Sequence, residues 1–74
     1  MKIFIIEATF EDNNEIQHSI IVGKTLAKDR IEAYTNMCKK YNTENEYSIL
    51  RLLGYKLIND VEFYYHDIDE METI

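Results

Sequence analysis

Lys2-Ile3-Phe4-Ile5-Ile6-Glu7-Ala8-Thr9-Phe10 is the stretch that decides the architecture. Phe4, Ile6, Ala8 and Phe10 fall on one side of an extended chain, and Ile3, Ile5, Glu7 and Thr9 on the other. A period of two with one strongly apolar side marks a strand that buries one face. Working outward, Glu11-Asp12-Asn13-Asn14-Glu15 is a polar turn, and residues 16–22 alternate again, with Ile16, His18, Ile20 and Val22 on a common side. Two such segments joined by a short polar loop predict a β-hairpin.

Gly23 is expected to break the second strand and Thr25 to cap a helix. Ala27, Ile31, Tyr34, Cys38 and Tyr41 recur at helical spacing, and Leu26, Ala33 and Met37 widen the stripe. Lys28, Asp29, Glu32, Asn36, Lys39 and Lys40 form the opposite side. Lys39 and Lys40 complement the dipole at the C-terminal end, and Asn42 terminates the helix. Thr43-Glu44-Asn45-Glu46 has the form of a capping box, and Gly54 stands where a left-handed C-terminal residue belongs, so a short second helix is predicted between them. Residues 55–66 predict a last strand, bent or bulged near Asn59, with Tyr55, Leu57, Val61, Phe63 and Tyr65 on one face. Residues 67–74 read as a frayed acidic tail.

The fold class is therefore α+β, in the order ββααβ: a small antiparallel β-hairpin plus a third strand, with one or two helices packed on one face. The third strand is expected beside the first, giving the order 2-1-3, and its direction is open. Seventy-four residues make one domain, 1–74. Hydrophobic residues at 46% and charged residues at 30% suit a folded globule and argue against a disordered chain. No apolar run approaches the roughly 20 residues of a membrane span. No secretory signal follows Met1-Lys2, and a single cysteine makes no internal disulfide, so a cytoplasmic location is expected. Eight basic against fourteen acidic residues give −6, which disfavours direct binding to nucleic acid or anionic membrane.

Little in the chain speaks for chemistry. His18, His66 and Cys38 have no metal-ligand spacing, and Cys38 within the apolar stripe reads as a small buried hydrophobe. Asp67-Ile68-Asp69 superficially has the look of a strand-end aspartate pair, but no glycine-rich loop accompanies it. Lys24, Lys28, Arg30, Lys39 and Lys40 give the first helix a basic cast that Asp29 and Glu32 interrupt. No catalytic residue, cofactor or metal site is predicted.

The conspicuous feature is the acidic end. Asp60, Glu62, Asp67, Asp69, Glu70 and Glu72 occur after Asn59 with no lysine or arginine among them. Such a patch suits docking on a basic surface, and at the extreme it imitates DNA phosphates. The plainer alternative is a solvated tail that aids solubility. Tyr64 falls opposite Phe63, alongside Ile58, and Ile3, Ile5 and Ile21 lie on the corresponding outer side of the sheet. That face exposes more apolar surface than a monomer usually tolerates, so the second helix or another chain is expected to cover it. The partner-binding set is Asp60, Glu62, Tyr64, Asp67, Asp69, Glu70 and Glu72.

The opening Lys2-Ile3-Phe4-Ile5-Ile6-Glu7-Ala8, the lysine-rich helix and the closing Val61-Glu62-Phe63-Tyr64 before Asp69-Glu70 carry a resemblance. Together with the wealth of Ile, Asn, Lys and Glu, the pattern resembles the small acidic accessory proteins of bacteriophages and mobile genetic elements. Inhibition of host defence nucleases, anti-CRISPR activity included, is a recurrent role in that setting. The resemblance implies a non-catalytic inhibitor or adaptor that blocks a basic, nucleic-acid-binding surface of a host protein or protein–nucleic-acid complex. It carries over no functional residue. The competing expectation is a structural or regulatory homo-oligomer, in the simplest case a homodimer.

Overall fold

The alternating opening segment forms β1 (Lys2–Asp12) in a computed structural model that describes residues 1–69. Phe4, Ile6, Ala8 and Phe10 are all buried along it, as the period of two requires. The chain continues through β2 (Gln17–Ala27), α1 (Arg30–Tyr41), α2 (Glu46–Leu52) and β3 (Ile58–Asp67). The sheet order is β2-β1-β3, and both pairings are antiparallel, which settles the direction of the third strand. Ala33 and Met37 of α1 and Ile49 and Leu50 of α2 close over β1, joined by Val22 and Ala27 from β2. Ile20, Tyr41, Ile58, Val61, Phe63 and Tyr65 pack around this core. The architecture is the α+β arrangement expected, with both helices on one face of the sheet.

The hairpin turn is built by Asp12. Its carbonyl accepts from the Glu15 N–H at 3.0 Å, and its carboxylate accepts from the Asn14 and Ile16 N–H groups at 2.8 and 3.1 Å. Glu15 takes the left-handed conformation, φ 63°, that closes a three-residue loop back into the ladder.

Each outer strand carries one extra residue. In β2, Ile6 pairs with Gly23 and Glu7 with Ile21, so Val22 and Gly23 together oppose one step of β1. Gly23 thus does not end the strand. It sits in a bulge beneath α1, where a Cβ would lie 3.0 Å from the Met37 sulfur. In β3, Thr9 pairs with Glu62 and Glu11 with Asn59, and Asp60 absorbs the extra step at φ 52°. That is the bulge expected near Asn59. It reverses the phase of what precedes it, so Ile58 packs on the core and is not on the outer face with Tyr64. Tyr55 and Leu57 lie before the strand, and Tyr55 instead packs its ring against Phe10 at 4.9 Å.

The first helix starts later than its apolar spacing suggests, because residues through Ala27 are taken up by pairing with β1. Asp29, not Thr25, is the N-cap and accepts from the Glu32 N–H at 2.9 Å. Glu32 reaches back past the cap to the Lys28 N–H at 3.1 Å, so side chains satisfy two N–H groups at the entry to the helix. The helix face is rotated accordingly: Ala33 and Met37 are buried, Tyr34, Cys38 and Tyr41 are half-buried, and Ile31 is 77% exposed. Asn42 does end the helix, left-handed at φ 53°. The second helix is capped by Asn45, which accepts from the Ser48 N–H at 2.8 Å, and not by Thr43. Glu46 instead accepts the Tyr65 hydroxyl. Gly54 follows α2 with φ 102°, as its position predicts. Among the described residues no helix is long and apolar enough to cross a membrane.

Candidate functional site

The helices leave the second face of the sheet open, and the strand registers define what it displays. Reading across β2, β1 and β3 from the end remote from the hairpin turn, the rows are Leu26–Ile3, Lys24–Ile5–His66, Ile21–Glu7–Tyr64, Ser19–Thr9–Glu62 and Gln17–Glu11–Asn59, with Asp60 beside Glu11. Ile3, Ile21, Leu26 and Tyr64 are 39, 64, 58 and 44% exposed, and no described element covers them. Apolar side chains therefore predominate in one half of the face, around Lys24 and His66, while Glu11, Asp60 and Glu62 gather at the other.

Glu7 lies at the centre of this face and is firmly held. The Ser19 hydroxyl donates to one carboxylate oxygen, and His66 Nε2 lies 2.8 Å from the other. These two hydrogen bonds, that of Ser19 foremost, keep the Glu7 carboxyl below its ordinary value. The His66 ring also stacks on Tyr64, centroid to centroid 6.4 Å. The Tyr64 hydroxyl donates to Glu62, and this hydrogen bond, with the carboxylate's charge behind it, pushes the phenol's ionisation up. At the turn end the logic is reversed. The hydrogen bond with the neighbouring Asp60 carboxyl pushes Glu11 up, the mark of crowded carboxylates.

Of the residues singled out from the sequence, Glu62 and Tyr64 meet on this face, and Asp60 joins them through the bulge. Asp67 does not belong to a frayed tail. It is the last residue of β3, only 6% exposed, and Lys2 Nζ reaches its carboxylate at 3.2 Å. Asp69 is exposed, and its N–H donates to Asp67 at 3.0 Å. Glu70 and Glu72 lie outside the described residues. Glu7, Glu11, Lys24, Leu26 and His66 complete the face and are missing from the sequence-derived set. For Glu7 and Glu11 the signal is present: they share the phase of Ile3 and Ile5 in β1. Leu26 and Lys24 are concealed by the reading of Gly23 as a strand end.

The histidines do not meet. His18 is on the core side, stacked on Phe10 and 2.7 Å from Asp12, which it holds below its ordinary value, whereas His66 is on the open face. Cys38 is half-buried rather than buried. Among the described residues no three His, Cys, Asp or Glu side chains are placed to hold a metal ion. A shallow cleft between Lys2, Lys28, Arg30, Asp29 and Asp67 has its cations offset by the two aspartates. Comparison of the chain with protein-family models, with curated proteins and with solved structures gave no match.

Proposed function

We propose that this chain is a non-catalytic protein-binding module that docks through the open face of its sheet onto a basic surface of a larger protein. The observation that supports this is the juxtaposition, on a face that no described element covers, of Ile3, Ile5, Ile21, Leu26 and Tyr64 with Glu7, Glu11, Asp60 and Glu62. The apolar half supplies surface to remove from water, and tyrosine beside aliphatics is the composition of interface centres. The acidic half steers and orients a cationic partner. In the bacteriophage or mobile-element setting that the sequence resembles, the partner is a host protein whose basic surface otherwise holds nucleic acid. The module then acts as a stoichiometric inhibitor or adaptor.

The test is capture of bacterial host proteins on the immobilised chain, in parallel with Glu11→Gln/Glu62→Gln and Ile21→Ala/Tyr64→Ala variants checked for fold by circular dichroism. A protein lost from both variants, released by salt and displaced by nucleic acid supports the reading. Equal recovery on all three chains, or simultaneous binding of the captured protein to nucleic acid and to this chain, refutes it.

A further inference from the structure

The dimensions of the open face narrow what sits on it. From Ile3 to Glu11 the central strand takes eight steps, about 27 Å at roughly 3.4 Å per residue. Three strands at about 4.8 Å spacing are about 14 Å wide. This footprint of roughly 400 Å² is half the ~800 Å² per partner of a standard interface, so it seats one element and not a whole domain surface.

A second copy is a poor occupant. A two-fold axis along the central strand brings turn end onto turn end, sets Glu11 against its own image and gathers Asp60 and Glu62 of both copies at that same end. An axis across the strands, centred on the Glu7 row, sets Glu7 against itself and Ile3 against Glu11. Centred on the Ile5 row, it sets Lys24 against itself. Each aligned two-fold packing superposes like charges or buries a carboxylate on an aliphatic chain. An extended segment fits no better. One strand laid flat covers about 5 Å of the width, and the sheet face offers no main-chain groups for its N–H and C=O. A helix satisfies its own backbone, and its diameter of about 10–12 Å matches the width.

We propose that the partner's docking element is a single helix of about 18 residues lying along the strands, the length that spans about 27 Å at roughly 1.5 Å per residue. On one side it carries apolar residues over Ile3, Ile5, Ile21, Leu26 and Tyr64. On the same side, in its other half, it carries arginine or lysine over Glu11, Asp60 and Glu62. This rests on the docking reading above and specifies its partner.

The probe is a synthetic peptide of about 18 residues with terminal blocks. Leucines stand at i, i+3, i+4 and i+7 in one half, arginines continue the same side in the other, and alanine and glutamine fill the rest. A control has the same charge and a proline at its centre. Titration into isotopically labelled full chain, followed by amide chemical shifts, should perturb Ile5, Glu7, Ile21, Glu62 and Tyr64 while leaving the α1 and α2 surfaces unmoved. The peptide should gain helicity, the proline control should bind at least about tenfold more weakly, and Glu11→Gln/Glu62→Gln should weaken the peptide about three- to tenfold at low salt. Equal binding of both peptides on this face would overturn the helix while sparing the docking reading. No perturbation of this face by either peptide would overturn both. Concentration-dependent self-association of the free chain through these residues would replace the helix with a second copy.

Discussion

Gly23→Val, Met37→Ala and their combination test the placement of α1 over the β2 bulge, on which the assignment of inner and outer faces depends. At Gly23 the first added carbon meets Met37 Sδ at 3.0 Å, Met37 Cε at 3.4 Å and Lys40 Nζ at 3.5 Å. Ordinary non-bonded contacts lie at about 3.5–4.0 Å, so the Cβ alone intrudes and the two methyls of valine intrude further. Overpacking of this kind costs about 1–3 kcal/mol. Met37 is 2% exposed, and Met37→Ala empties a core site at a cost of about 2–5 kcal/mol. Removing the sulfur and its methyl vacates the space that valine needs, so the double variant should be more stable than the sum by about 1–3 kcal/mol. A chain of this length has roughly 4–11 kcal/mol in all, so the series belongs in sulfate buffer, which strengthens apolar burial. Urea unfolding followed by far-ultraviolet circular dichroism reads it, since the chain has no tryptophan. Additivity within about 0.5 kcal/mol, with unchanged urea dependence, would show that Gly23 and Met37 do not touch and that the face assignment is wrong.

The caps give a second test: Asp29→Ala and Asn45→Ala should each cost about 1 kcal/mol in urea unfolding, and Thr43→Ala markedly less. Asp67→Asn should destabilise the fold by about 1–3 kcal/mol through its contacts with Lys2 and the Asp69 N–H, yet leave binding at the open face unchanged, as isothermal calorimetry with the helical peptide would read. Glu7 is held below its ordinary value of 4.5, so it stabilises the fold above that pH and the contribution fades as pH falls through the depressed value. Glu7→Gln should therefore flatten the acid limb of a urea-midpoint profile. Glu11 is shifted upward by Asp60, so Glu11→Gln should raise the neutral-pH midpoint, and a fall there would remove the crowding argument.

What is legible in the sequence is what local pattern controls. The alternation of Phe4, Ile6, Ala8 and Phe10 needs only the pleat and one buried face, and Asn42 and Gly54 need only their own backbone freedom. Gly23 is different. A glycine in an extended run is compatible with a stop and with a bulge, and the choice is made across the chain by the pairing needs of residues 2–6 and the room Met37 occupies. The misplaced helix start follows from it, since a strand running to Ala27 leaves Thr25 unable to cap. The Asp29–Glu32 spacing was nevertheless a readable cap signal. In the acidic set, composition alone makes Asp67 and Glu62 equivalent. Their fates diverge because β3 ends beside Lys2, which turns one carboxylate into a structural group and leaves the other on the open face. Glu7 shows the converse, a central polar residue that charge counting along the C-terminal end passes over.

The two bulges bear on how a chain without proline keeps its sheet to itself. β2 and β3 are both edge strands, each with a row of main-chain groups turned away from β1. An extra residue strengthens local twist and breaks the even spacing of that row, so another strand finds no continuous ladder to extend. Loss of Gly23 from β2, or of Asp60 from β3, would keep every remaining side chain on its present face, because an extra step separates Val22 from Lys24 and Asn59 from Val61. Packing would survive such a deletion while the edge became straight and regular. Positions 23 and 60 are thus where the chain tolerates a change in length, and where it stands guard against sheet-to-sheet aggregation.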